Sequence, residues 1–93
     1  MTLAPIVDVL TRDPGAASAL EALRRREPFV DITIAEGARP AMLAALVGEQ
    51  RRAGGKGVVV AVTATTRAAQ DLEEALGCYL PAGAVAQFPS WET

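Results

Sequence analysis

The run Glu36-Gly37-Ala38-Arg39-Pro40-Ala41-Met42-Leu43 follows a β-like stretch and leads straight into an apolar helical pattern. Strand, glycine turn and helix is the layout of a phosphate cradle, where backbone N–H groups at a helix start attract anions. A working cradle adds a second glycine, a lysine for the β- and γ-phosphates and a Ser or Thr hydroxyl for magnesium. Gly37, Ala38, Arg39 and Pro40 supply only the first glycine, and Pro40 removes one donor from the helix start. The stretch therefore reads either as a degenerate phosphate loop or as a corner where glycine relieves crowding. Without the lysine and the hydroxyl, no cofactor is expected there.

The second candidate is Thr63-Ala64-Thr65-Thr66-Arg67, at the junction between an apolar run and a helical pattern. The hydroxyls of Thr63, Thr65 and Thr66, with Arg67 and the helix start, are of the types that contact a nucleic-acid backbone. Helix capping by one of these threonines explains the same residues without a ligand and is the favoured reading. Arg24-Arg25-Arg26 and Arg51-Arg52 are cations near helix ends, where the helix dipole stabilises them, so a phosphate patch is the lesser reading. Asp71, Glu73 and Glu74 lie on a polar helix face with no apolar pocket to separate their pKa values, so acid–base chemistry is not indicated. Cys78 beside Tyr79 is expected to pack, as unpaired cysteines commonly do.

The chain has no histidine and one cysteine. Ser–His–Asp and Cys–His nucleophile pairs, zinc-type Cys/His coordination and internal disulfides are thereby excluded. No metal site or catalytic residue is assigned. The net charge of −2 argues against a surface built wholly for nucleic acid. No apolar run reaches the length of a membrane span, the N-terminus lacks the cations of a secretory signal, and a lone thiol suits the cytoplasm.

The elements that must position these residues follow from periodicity. Leu3, Ile6, Val7 and Leu10 predict a short amphipathic helix with Pro5 in its first turn. Asp13 can cap a second helix with Pro14 at its first position, presenting Ala16, Ala19, Leu20 and Leu23 on one face and ending at Pro28. Val30, Ile32 and Ile34 alternate with Asp31 and Thr33, which predicts a strand. A helix from Pro40 buries Met42, Leu43, Leu46 and Val47 and ends at the Ala53–Gly57 stretch. Val58–Val62 is a continuous β-branched run, predicting a strand buried on both faces. Ala68, Ala69, Leu72, Ala75, Leu76 and Tyr79 mark a further helix, with a turn and a short third strand before Pro89. The order helix–helix–β–α–β–α–β predicts an α/β fold, a parallel sheet with flanking helices joined by right-handed crossovers. Residues 1–27 hold the N-terminal helices and 28–93 the core, as a single α/β unit. The abrupt end at Phe88-Pro89-Ser90-Trp91-Glu92-Thr93, with exposed sheet edges, suggests a part of a longer chain or an edge that a partner covers. Phe88 and Trp91 either mark an interface or pack beneath other residues, and the second is preferred.

Taken together, Thr63, Arg67, Ala69, Leu72, Leu76 and Val85, followed by Phe88, Pro89, Trp91, Glu92 and Thr93, resemble the N-terminal module of the bacterial transcription-repair coupling factors (Mfd). The likeness covers the second half of the chain; the first half matches only in layout, and the sequence stops before the Leu-Pro expected next. The resemblance implies a UvrB-like module, the first part of an incomplete RecA-type, P-loop NTPase-like domain, whose ATP motifs are lost. Gly37–Pro40 would be the relic of the phosphate loop, and Thr63, Thr65, Thr66 and Arg67 a helicase-type corner. The full-length proteins of that family recognise RNA polymerase stalled at DNA lesions, displace it by ATP-dependent translocation on double-stranded DNA and recruit UvrA for nucleotide excision repair. ATP and Mg would belong to the downstream motor, and this segment would be a scaffold, not an enzyme. The rival readings are a nucleotide-binding UvrB/helicase-type ATPase domain and a standalone α/β protein-interaction domain.

Overall fold

The computed structural model describes residues 3–52, 54 and 58–88. Among these residues four α-helices carry the fold: α1 (Ala4–Leu10), α2 (Pro14–Arg24), α3 (Arg39–Arg52) and α4 (Thr66–Leu76), with a 3₁₀ turn at Glu36–Ala38 ahead of α3. Each start has a local cause. Pro5 lies in the first turn of α1, and Pro14 opens α2, where the missing N–H has no helical acceptor to lose. The Asp13 carboxylate caps α2 by accepting a hydrogen bond from the Ala16 N–H at 3.1 Å.

The end of α2 is a Schellman turn. Arg25 is its C-cap, the Arg26 N–H donates to the Leu23 carbonyl at 2.9 Å, and the Glu27 N–H donates to the Ala22 carbonyl at 3.2 Å. This closure puts Arg26 at φ 57°, a left-handed backbone that glycine adopts without steric penalty and arginine does not. Arg26→Gly is therefore expected to raise stability by about 1 kcal/mol, the left-handed penalty less the extra chain entropy of glycine. Chemical denaturation followed by circular dichroism checks this; a destabilised variant would show that the arginine side chain matters more than the backbone.

The core lies where α3 meets its neighbours, since α1, α2 and α4 all pack against it. Ala16, Ala19 and Leu20 from α2 meet Met42 and Ala45 from α3, and Val7, Leu10, Ile34 and Leu46 close the margin. Alanine at most of these positions lets helix axes approach closely but buries little apolar area per residue. On α3 the buried residues are Ala41, Met42, Ala44, Ala45 and Glu49, while Leu43, Leu46 and Val47 are only half-buried. The expected stripe is thus rotated toward the small residues, because three helices converge on this one.

The α/β expectation is overturned: among the described residues there are helices but no strand and no sheet. The Phe29–Ile34 and Val58–Val62 runs are non-helical, as their β-branched content requires, yet they form no ladder with each other or with residues 85–88. A strand exists only when its N–H and C=O groups find a neighbouring strand, and propensity supplies no neighbour. The consequence is visible at the surface. Phe29 is 80% exposed, Val58 83%, Val60 78% and Val62 90%. The chain exposes 7265 Å² in all, against about 5,100 Å² for a typical folded monomer of this mass. Gly83, at φ 82°, makes the left-handed turn that follows α4, and residues 85–88 then leave the helical body without pairing.

Candidate functional site

The Gly37–Pro40 candidate forms the entry into α3. The Ala38 N–H donates to the Ala35 carbonyl at 2.9 Å, and Arg39 begins the helix with no side-chain cap on the turn before it. Gly37 has an ordinary negative-φ backbone, and a Cβ placed on it would meet nothing within 4 Å. The steric reading of this glycine therefore fails: neither a strained turn nor a close approach demands it. The acidic side chain in the turn is Glu36, which favours the positive helix end that an incoming phosphate would need. Glu36 and Arg39 are both exposed, so their charges largely offset one another in solvent. Gly37, Ala38, Arg39 and Pro40 thus form a helix entry preceded by a carboxylate, with Leu43 at the position where a triphosphate grip would place its lysine.

The threonine corner is built for capping. Thr65 has an extended backbone (φ −138°, ψ 159°), and its hydroxyl accepts from the Ala68 N–H at 3.0 Å. The Thr63 hydroxyl donates to the Thr65 carbonyl at 3.0 Å, which braces the cap. Thr66 and Arg67 lie exposed in the first turn of α4. The Thr63 hydroxyl as donor and the Thr65 hydroxyl as acceptor are therefore used in local structure, while Thr66 and Arg67 make no such bond and face solvent.

Other sequence candidates do not gather. Asp71 and Glu74 are exposed and Glu73 half-buried on α4, while Cys78 is exposed rather than packed. Phe88 is 95% exposed; Pro89, Trp91, Glu92 and Thr93 of the family signature lie outside the described residues, as do Ala53, Gly55, Lys56 and Gly57.

One constellation escaped the sequence reading. Glu49 is the buried charged residue of the described core, and its carboxylate accepts from Arg24 Nε at 2.6 Å, Arg24 Nη2 at 3.1 Å and Arg52 Nη1 at 3.3 Å. Arg24 also donates from Nη1 to Glu21 at 3.2 Å. The bidentate fork ties α2 to α3, and Arg52 closes it from the next turn of α3. The Glu49 side chain is 7% exposed, but the arginines over it are 48% and 74% exposed, so the pair sits under a thin cover rather than deep in the protein. Hydrogen bonding to Arg24 lowers the Glu49 pKa, and the same bonds, with those to Glu21, raise that of Arg24. The signal was present in the sequence: Met42, Ala45 and Glu49 recur at three- and four-residue spacing, which sets a carboxylate in the register of the buried stripe. Both carboxylate oxygens of Glu49 have arginine partners, and no buried side-chain polar atom among the described residues is left without one, so the arrangement reads as structural.

No protein-family model, curated protein or solved structure matches this chain.

Proposed function

We propose that this chain is the catalytically inactive N-terminal segment of a transcription-repair coupling factor and serves there as a scaffold. The family part of the reading rests on Thr63, Arg67, Ala69, Leu72 and Leu76 and on the run from Phe88 to Thr93. The scaffold part rests on one observation: the helix behind the relic loop, α3, is the packing hub of the fold, and its entry carries Glu36 and Pro40 rather than a lysine and a hydroxyl. A helix held from three sides positions its neighbours well, and an entry with an acidic turn grips anions poorly. In the full-length protein, recognition of stalled RNA polymerase, translocation on double-stranded DNA with ATP and Mg, and recruitment of UvrA would fall to other regions, with this segment supporting them.

Isothermal titration with ATP and magnesium tests the scaffold assignment. No saturable binding is expected up to millimolar nucleotide; micromolar affinity that responds to Arg39→Ala would replace it with the nucleotide-binding reading. The family assignment is checked separately by the coding sequence after Thr93, where Leu-Pro followed far downstream by helicase motifs is expected and an immediate stop codon would remove it.

A further inference from the structure

We infer that the recess bordered by α1, α2 and α3 is a binding site for a small zwitterion, a free α-amino acid with a short aliphatic side chain. The recess holds about 250 Å³ beside the Arg24–Glu49 fork, just under the range of pockets for drug-sized molecules. Gly48 carries the first part of the argument. It lies inside α3, where glycine is less favourable than alanine, and it borders the recess. Its backbone is helical, and a Cβ placed on it would meet nothing within 4 Å, so neither a turn nor a close helix contact requires glycine here. What a methyl group would change is the recess itself, which α3 faces with Ala44, Gly48 and Arg52 at helical spacing. The chain thus keeps this space open at a cost in helix propensity.

The groups left over select the ligand. Arg24 is committed to Glu49 and Glu21, and both Glu49 oxygens are taken by arginines. Arg52 gives Nη1 to Glu49 at 3.3 Å, which holds it at the rim, and its remaining donors make no bond among the described residues. The Asp8 carboxylate, bordering the recess from α1, accepts none either. The recess therefore offers one guanidinium and one carboxylate within a rim whose charges balance. A lone anion would meet Asp8 and Glu49, and a lone cation Arg24 and Arg52. A zwitterion satisfies both, with its carboxylate on Arg52, its ammonium on Asp8 and its side chain against the apolar wall of Leu20 and Ala44. Asp8 and Arg52 are exposed, so the binding is weak and in the millimolar range.

Titrating the isotope-labelled 93-residue chain with L-valine, followed by amide chemical shifts, tests the proposal. Saturable shifts centred on Asp8, Thr11 and Gly48 are expected below roughly 100 mM ligand. Isovalerate and isobutylamine, which each keep one of valine's two charges, should bind about tenfold or more weakly. Gly48→Ala should raise the thermal midpoint by about 4–8 °C, because alanine is the better helix former. The same methyl group should weaken valine binding by about tenfold or more, so stability and affinity move in opposite directions in a variant that folds. Asp8→Asn should reduce valine to the level of isovalerate by removing the partner of the ammonium. No saturable shift with valine, equal affinity for the singly charged analogues, or valine binding undiminished by Gly48→Ala or by Asp8→Asn overturns the proposal.

Discussion

Leu20→Ala is expected to lower the stability of this domain by about 2–5 kcal/mol, the range for emptying a buried leucine site. Leu20 is 4% exposed and sits among Ala16, Ala19, Met42 and Ala45, the contact by which α2 is held to α3. Those neighbours are mostly alanines, which are too short to collapse into the vacated space, so the cavity term is added to the lost transfer energy. The core is small and the exposed apolar surface large, and a domain of this size has little stability in reserve. Even the lower end of the range corresponds to a fall of roughly 8–16 °C in the thermal midpoint, and the upper end leaves the chain unfolded near room temperature. Leu23→Ala is the comparison: on the same helix but 40% exposed, it should shift the transition far less. Equal losses for the two leucines would mean that α2 is not anchored through the Leu20 face.

Acid should release α2 from α3 through Glu49. The pKa of Glu49 is lowered from the ordinary 4.5, chiefly by its hydrogen bonds to Arg24; burial opposes this, and the charges of Arg24 and then Arg52 add to the lowering. The sign follows from proton counting. A carboxylate with a lower pKa in the folded state binds fewer protons there than in the unfolded chain, so stability rises with pH over that interval. The contribution is complete above 4.5 and disappears as the pH falls through the folded-state value below it. Of the other charged groups around the recess, Glu21 bonds to Arg24 from α2 while Asp8 reaches it from α1. Urea unfolding at a series of pH values should therefore show the parent losing stability below 4.5 more steeply than Glu49→Gln, which is weaker at neutral pH but has no carboxylate there to titrate. Because the ion pair has only a thin cover, added salt should narrow the gap between the two proteins. Parallel pH profiles would show that the fork contributes nothing to the folded state.

Much of the helical frame was legible in the order of residues, because its determinants act within a single turn of chain. Asp13 and Pro14 start α2, Thr65 caps α4, and α4 ends at Leu76, just before Gly77, each through contacts no more than a few residues apart. The absence of a phosphate-gripping lysine near Gly37 was equally readable, since it is a matter of composition. The β-rich runs were read correctly as non-helical but wrongly as a sheet. Val58–Val62 carries its own preference for a ladder, but no neighbouring strand can be inferred from side chains that would suit any sheet equally well. The Arg24–Glu49 fork joins residues 25 apart, and the arginine run looked like an ordinary helix end until α3 brought a carboxylate under it. Local sequence determined where the chain coils, since capping and periodicity are short-ranged. Which surfaces meet was decided by the convergence of three helices on α3, because burial and ion pairing depend on distances in space that the spacing of residues along the chain does not measure.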